Sequence, residues 1–364
     1  MGLVVAKIGS SSLTDSTGEI VPAAIDKLCA GVAALRSSGH QVVVVTSGAI
    51  AAGLPVLGLT EPRPTDTAVL QAVSAVGQAH LVGHYNRALA AHGLVAGQVL
   101  LAPLDFVHRQ QYLHARQTLG VLLTLGVVPI VNENDAIADD EIRFGDNDRL
   151  AALVSHLVRA DLLVLLTDAP GLLSGDPRAH GDTSLIEEIV AVDRELEALA
   201  GGAGTDRGSG GMASKLAAAK IAAWSGVRAV IAAAARPDVL VDAVGGRPGV
   251  GTVILPRKER LPARKLWIAF AVGSSGTIVV DEGARVALVE RGVSLLPAGV
   301  VGVQGSFEPD DAVEIAGPDG TVFAKGLSKH SAKVIGALAG RRTADLPDDV
   351  THEVVHRDDL VLLP

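Results

Sequence analysis

Val42-Val43-Val44-Val45-Thr46-Ser47-Gly48-Ala49-Ile50-Ala51-Ala52-Gly53 begins as four valines, passes through two hydroxyl residues and a glycine, and continues as an alanine-rich run. The valines suit a strand buried on both faces and the alanines suit a helix, so a strand from Gln41 to Thr46 turns at Ser47-Gly48 into a helix opened by Ala49. Working outward, the same texture recurs. Leu3 to Ile8, Val95 to Leu101, Val127 to Val131, Leu162 to Thr167 and Val227 to Ala232 read as strands, with Ala/Leu-rich helical segments between them. Alternation of this kind predicts an α/β fold of βαβ units, a mostly parallel sheet sandwiched by helices, with ligands at the carboxyl ends of the strands.

Hydrophobic residues make up 48% of the 364, charged residues 20% and aromatics only 2%, so the core is built from Val, Leu, Ile and Ala. A chain this long exceeds what one core organises, which predicts two domains. The texture changes near residue 256, where Pro256-Arg257-Lys258-Glu259-Arg260 and Pro262 to Lys265 are polar and bounded by prolines. The expected division is a large α/β domain over 1–256, a linker over 257–266 and a small, mainly β domain over 267–364. In the last, Thr277 to Val280, Val300 to Val303, Ala312 to Ile315, Thr321 to Ala324, Val354 to His356 and Leu360 to Leu363 read as strands. Gly317-Pro318-Asp319-Gly320 reads as a hairpin turn.

Several classes are disfavoured. The net charge of -9 argues against a general polyanion-binding surface, so any phosphate site is local. The one cysteine, Cys29, gives no intramolecular disulfide and reads as a small buried hydrophobe in a reducing compartment. Lys7 interrupts the apolar run that a signal peptide needs, and no stretch of about 18 uninterrupted apolar residues suits a membrane span. The chain therefore reads as soluble and cytoplasmic. It holds no Walker-A pattern, no G-x-G-x-x-G and no Cys/His cluster for a transition metal. His356-Arg357-Asp358 copies a protein-kinase triplet by coincidence, inside the β domain.

Five segments carry chemistry. Lys7 ends the first strand ahead of Gly9-Ser10-Ser11-Ser12, where a lysine can hold a phosphate as a point charge; it equally reads as a solvated strand-end lysine. Ser47-Gly48-Ala49 precedes a helix N-terminus, which attracts anions, or Ser47 is an ordinary N-cap. Asn132-Glu133-Asn134-Asp135 and Gly145-Asp146-Asn147-Asp148 bracket a loop in which seven carboxylates (Glu133, Asp135, Asp139, Asp140, Glu141, Asp146 and Asp148) fall within sixteen residues. So polar a loop on an apolar scaffold points to function, the alternative being a solvated or calcium-binding loop. Thr167-Asp168 ends a buried strand, as a ligand-end pair or as a cap and turn. Gly208-Ser209-Gly210-Gly211-Met212-Ala213-Ser214-Lys215 is a glycine-rich loop opening a helix, where close backbone amides, the helix dipole and a lysine together suit a phosphate. A flexible loop with a surface lysine is the plainer reading.

In this order the five segments resemble the amino acid kinase family over nearly the whole chain, and in particular its branch that phosphorylates free L-glutamate. The diagnostic parts are Ser-Gly-Ala-Ile-Ala-Ala-Gly at 47–53, Asn-Glu-Asn-Asp at 132–135, Gly-Asp-Asn-Asp at 145–148 and Gly-Gly-Met-Ala-Ser-Lys at 210–215. The tail resembles a PUA domain through Val280-Asp281-Glu282-Gly283-Ala284 and Gly292 to Val300. The resemblance implies a reaction between Mg2+-ATP and L-glutamate at the entrance to proline synthesis, by in-line transfer without a covalent intermediate.

It also implies roles. Lys7, Lys215 and Asp148 would be catalytic, the lysines holding the phosphates and Asp148 holding the lysines. Ser47, Gly48, Ala49, Asn132, Asn134, Asp135 and Asn147 would form the glutamate pocket. Lys7, Gly9, Thr167, Asp168, Ser209, Gly210, Gly211, Met212, Ala213, Ser214 and Lys215 would bind ATP, with Mg2+ held mainly by the phosphates. Ser209 stands where the family usually has Thr and keeps the hydroxyl. Feedback inhibition by proline, transfer of the acyl phosphate to glutamate-5-semialdehyde dehydrogenase, and a homo-oligomer are further implications. PUA domains commonly contact RNA, but eight Lys/Arg against fourteen Asp/Glu over 267–364 make a poor polyanion surface. RNA is therefore not the expected partner.

Overall fold

The computed structural model describes residues 2–15, 17, 19–106, 108–137, 147–175, 183–201, 211–270, 272–342 and 352–363. It comprises two compact units, Met1–Arg260 and Leu261–Pro364. In the first, eight strands form one sheet among the described residues: β1 (Leu3–Ile8), β2 (Gln41–Thr46), β3 (Ala96–Leu101), β4 (Val128–Glu133), β5 (Leu162–Thr167), β6 (Glu188–Ile189), β7 (Arg228–Ala233) and β8 (Thr252–Ile254). Their order is β3-β4-β2-β1-β5-β7-β8-β6. All pairs are parallel except β7 with β8. The chain fills one side of β1 with β2, β3 and β4 before crossing to β5. That reversal beside β1 is where open α/β sheets leave a crevice.

The helices are α1 (Ser10–Leu13), α2 (Pro22–Ser37), α3 (Ala49–Val56), α4 (Thr67–Ala90), α5 (Arg109–Thr124), α6 (Asn147–Val158), α7 (Arg194–Ala200), α8 (Met212–Trp224) and α9 (Val239–Gly245). Val4, Ala6 and Ile8 of β1 face a core shared with Leu28 and Val32 of α2, Leu81 and Tyr85 of α4, and Leu240 of α9. Side chains alternate along a strand, so Val5 and Lys7 face the opposite side. There α6 packs on β1 and α8 on β5 and β7. Cys29 lies buried in α2, and burial pushes its thiol up to about 12, which makes it the inert hydrophobe expected.

α3 and α4 meet backbone to backbone. A Cβ at Gly77 would stand 1.7 Å from the Ala49 carbonyl oxygen, and one at Gly53 would stand 2.1 Å from that of Val73. Only glycine permits such an approach. It brings the face of α4 that carries Ser74 and Gln78 against the end of β4 and the turn after it.

The second unit has five strands among the described residues, β9 (Gly276–Val280), β10 (Val300–Gly305), β11 (Ala312–Ala316), β12 (Val322–Ser328) and β13 (Val355–Leu362), in the order β10-β9-β11-β12-β13. Helices α10 (Ala263–Phe270), α11 (Glu282–Arg291) and α12 (Ala332–Leu338) accompany them. Ile278, Leu288, Phe307, Ile315, Ile335 and Val355 form a core of their own. The hairpin turn closes with Gly320 N–H on the Gly317 carbonyl, 3.0 Å.

Three details depart from the sequence reading. The short strands β6 and β8 carry no long β-branched run and were not expected. The two strands expected at 354–356 and 360–363 are one, because the backbone stays extended through exposed Arg357 and Asp358. The β12 ladder slips there, between Gly326↔Leu360 and Ser328↔Val355. The segment read as a linker contains the first turn of α10.

Candidate active site

Lys7 lies one residue from the end of β1, paired in register with Val45 and Leu165, and points to the α6/α8 side. Asp148 stands in the first turn of α6, and Lys215 in the first turn of α8. The three meet: Lys7 Nζ is 2.5 Å from Asp148 Oδ1, and Lys215 Nζ is 3.1 Å from Oδ2. All are buried, at 3%, 0% and 5% exposure. Lys215 is therefore no surface lysine, nor Lys7 a solvated one. Burial alone would push the Asp148 carboxyl up. The charges of Lys7 and Lys215, with hydrogen bonds from Lys7 and Ser214, outweigh it and hold the group below the usual carboxylate range.

Ser214 Oγ donates to Asp148 Oδ2 at 2.9 Å, and Gly211, Met212 and Ala213 form the start of α8 beneath it. One carboxylate against two ammonium groups leaves the trio with an excess positive charge. The N-termini of α6 and α8 open at the same place, and both features favour a bound anion. A Cβ at Gly9 would stand 3.3 Å from Lys7 Nζ, so the glycine keeps that ammonium clear.

A second network adjoins. Asn147, the residue before Asp148, donates through Nδ2 to Ser47 Oγ at 2.9 Å and to Asn132 Oδ1 at 3.2 Å. Asn132 Oδ1 also accepts the Glu133 N–H at 2.9 Å, and Asn132 Nδ2 donates to Gln78 Oε1 at 3.2 Å. Gln78 Nε2 donates to the Glu133 carbonyl at 3.3 Å. Ser47 is not a helix cap: Gly48, with φ 101° in the left-handed region, is the N-cap of α3, and Ala49 follows. Asp135 Oδ2 accepts from Ser74 Oγ at 2.7 Å. Burial raises the Asp135 carboxyl, the Ser74 bond opposes the rise, and no cation pairs with it among the described residues. Asn134 bonds through its backbone N–H to the Leu101 carbonyl.

Thr167 is buried at the end of β5 and donates to Asp168 Oδ1 at 3.0 Å. Neither is hydrogen-bonded to the lysine pair. A cavity of about 600 Å³ reaches both, but its other walls include Lys27 of α2 and Leu240 of α9, on the face away from Lys7. Ser209 and Gly210, and the acidic residues Asp139, Asp140, Glu141 and Asp146, lie outside the described residues.

The profile of the amino acid kinase family matches residues 2–233, the span that contains the lysine pair, the amide network and the whole sheet except β8. The chain belongs to the amino acid kinase family. The PUA domain profile matches residues 276–348. A protein of Trichlorobacter lovleyi named glutamate 5-kinase is 45% identical over 99% of this chain and 96% of its own length. Proteins of that name from Geobacter sulfurreducens and Mycolicibacterium vanbaalenii are each 44% identical, over 99% and 98% of this chain and 97% and 96% of theirs. Among solved structures, carbamate kinase from Giardia lamblia bound to AMP-PNP shares the fold, with a TM-score of 0.51 and 18% identity over 70% of this chain and 99% of that one. An isopentenyl phosphate kinase does so with a TM-score of 0.50 and 20% identity over 69% and 99%.

The motifs, and then the family resemblance, led to the lysines and the Asn-rich turns but not to α4. Ser74 and Gln78, 1% and 7% exposed, are one turn apart on one face, and that spacing of polar residues within an apolar helix was the available signal.

Proposed function

We propose that this protein transfers the γ-phosphoryl group of ATP to the side-chain carboxylate of L-glutamate, giving ADP and L-glutamyl 5-phosphate. The observation that carries the reading is the convergence of Lys7 and Lys215 on Asp148 beside the Ser47–Asn147–Asn132 network. Relatives of that name, aligned over almost the full chain, support it.

The reaction brings a carboxylate to a triphosphate, so the protein's task is positioning and charge neutralisation. A carboxylate oxygen forms the new bond to the γ-phosphorus as the bond to the β,γ-bridging oxygen breaks, and ADP leaves with that electron pair. Glutamate's carboxylate is already ionised at neutral pH, so no general base is needed. Lys7 would hold the transferring group and Lys215 the leaving side, with Asp148 fixing both ammonium positions. Ser47, Gly48, Ala49, Asn132, Asn134, Asp135 and Asn147 would bind glutamate. Two acceptors suit its ammonium: Asp135, with which no cation pairs among the described residues, and Asn147 Oδ1, which is buried without a hydrogen bond.

Gly9, Thr167, Asp168 and the 209–215 segment would bind ATP. Mg2+ would supply further neutralisation of the phosphates. It would be carried mainly by those phosphates, Asp148 being engaged by the lysines.

Residues 1–256 are thus the catalytic domain, 257–266 the connection and 267–364 a PUA-like domain with a regulatory or assembly role. No helix among the described residues is long and apolar enough to cross a membrane, in keeping with a cytoplasmic enzyme. Proline inhibition at or beside the glutamate pocket, hand-over to glutamate-5-semialdehyde dehydrogenase and a homo-oligomer belong to the same reading. ATP turnover with free glutamate, N-acetylglutamate, aspartate and UMP, trapping acyl phosphate as the hydroxamate, tests the whole. Glutamate alone is expected to give the strong signal; preference for another acceptor would replace the assignment.

A further inference from the structure

Where α6 ends, the Arg159 N–H and Arg260 Nη2 both donate to the His156 carbonyl, at 3.2 and 3.3 Å. Arg116 of α5, a helix packed on α6, belongs to the same cluster. Burial, then the charges of Arg260, Arg116 and Arg159, lower His156 to about 4, so its imidazole stays neutral among them. The arginines also act on one another: burial, then the charges of Arg159 and Arg116, lower the Arg260 guanidinium, and Tyr112 opposes. Arg116 is half-buried and Arg159 and Arg260 are exposed, so solvent reaches the group. All lie in the first unit.

Three positive charges stand here with little to balance them. None of the ion pairs among the described residues includes any of the three arginines. The C-terminus of α6 supplies only about half a negative charge. Composition does not account for the cluster, since Asp and Glu outnumber Lys and Arg by 40 to 31 over the chain. Nor does stopping the helix account for Arg159. Its φ is 57°, in the left-handed region, where glycine ends a helix without the strain that a Cβ brings.

We propose that Arg116, Arg159 and Arg260, with the Tyr112 hydroxyl, form a binding site for a phosphate group, separate from the lysine pair. Guanidinium forks match the oxygens of a phosphate, and a dianion answers two of the three charges where a lone carboxylate answers one. Burial raises the Tyr112 phenol against the opposing charges of Arg116, Arg260 and Arg159, so it keeps its proton and can donate. Asp148 is at the other end of α6, about 15 Å away at ~1.5 Å per residue, so one phosphate cannot serve both places. The group is that of inorganic phosphate or of a phosphate monoester. The site does not depend on which acceptor the protein phosphorylates.

The test is calorimetric titration of the full chain with inorganic phosphate at constant ionic strength. Arg159→Gly, which removes a guanidinium and relaxes the backbone, and Arg260→Gln are each expected to raise Kd about tenfold, the worth of one charge-assisted hydrogen bond. Lys215→Ala is expected to keep the binding. Glutamate turnover in the two arginine variants should stay within about twofold of wild type. AMP as titrant separates the sources: tighter binding than phosphate that Arg159→Gly removes points to a monoester, and weaker binding to inorganic phosphate, either of which upholds the site.

Phosphate binding that Lys215→Ala abolishes and the arginine variants leave unchanged would overturn the proposal, as would no binding by the wild type. Acetate competing as well as phosphate would reduce the cluster to charge screening and also overturn it. So would a polyglutamate peptide that binds more tightly than phosphate and is released by Arg159→Gly, since the patch would then dock an acidic chain. If Arg260→Gln does not fold, Arg159→Gly decides alone, because glycine suits that backbone.

Discussion

Asp148 is the residue on which two charges depend. A fully buried carboxylate bonded to two buried ammonium groups is costly to assemble, and it is more costly to break from one side, because the partners are left in low dielectric without a counter-charge. Asp148→Asn is therefore expected to lose roughly 3 to 5 kcal/mol of stability and, under the proposed mechanism, to lower kcat by about 100-fold or more as the two ammonium positions loosen. Chemical denaturation and initial rates check both; wild-type stability in this variant would mean that the lysines are held by something other than that charge. His156, in the last turn of α6, is 9% exposed, and its Nδ1 has no partner. Burial, then the charges of Arg260, Arg116 and Arg159, lower it from 6.5 to about 4. Folded His156 stays neutral while the unfolded chain takes up a proton, so stability falls as pH drops from 6.5 towards 4 and this group adds nothing further below that. Its share is at most about 3 kcal/mol. The unfolding free energy measured between pH 7 and 4.5 is expected to lose part of its slope in His156→Asn. The sequence showed these residues unequally. Lys7, Asp148 and Lys215 were legible because they sit in motifs, while Ser74 and Gln78 look like any polar residue on a long helix until the fold shows which side is covered.

The α3–α4 crossing turns two glycines into a positioning device. Alanine is the better helix former by about 1 kcal/mol, yet Gly77→Ala would drive a methyl into the Ala49 carbonyl at 1.7 Å and the Gly53 nitrogen at 2.7 Å. Both are backbone atoms, so the helices must separate. A net loss of about 2 to 4 kcal/mol is expected, with a higher KM for glutamate as Ser74 and Gln78 retreat from Asp135 and Asn132. Urea midpoints and glutamate titrations check the pair of effects, and an unchanged KM would detach α4 from the pocket. At this scale the sequence was most readable where six-residue runs are mainly large and aliphatic, as in β1, β2 and β5. It was least readable where an element is set by its neighbours: β6 and β8 are two and three residues pinned at the sheet edge, and β13 carries an Arg-Asp-Asp run that looks like a break. The closeness of Gly53 and Gly77 was invisible, because nothing local distinguishes a glycine at a helix crossing from one on a surface.

Each unit closes a core of its own, one drawn from β1 to α9 and the other from β9 to β13. Calorimetry of the full chain is expected to resolve two transitions. Ile315→Ala, at a fully buried position in β11, should cost about 2 to 5 kcal/mol and lower one transition only; a single shared transition would show the units to be thermodynamically one. The change of texture near residue 256 made the two-part organisation legible, but how Leu261 onward would be structured was not, since the helix Ala263–Phe270 starts inside what read as a polar connection and runs on into what read as the β domain. The charge trio has a consequence for how the enzyme comes into being. Its members stand at positions 7, 148 and 215, so a nascent chain still short of α8 holds Lys7 and Asp148 without the second cation, and under the proposed mechanism a polypeptide released before α8 is expected to show no turnover however much of its sheet has formed.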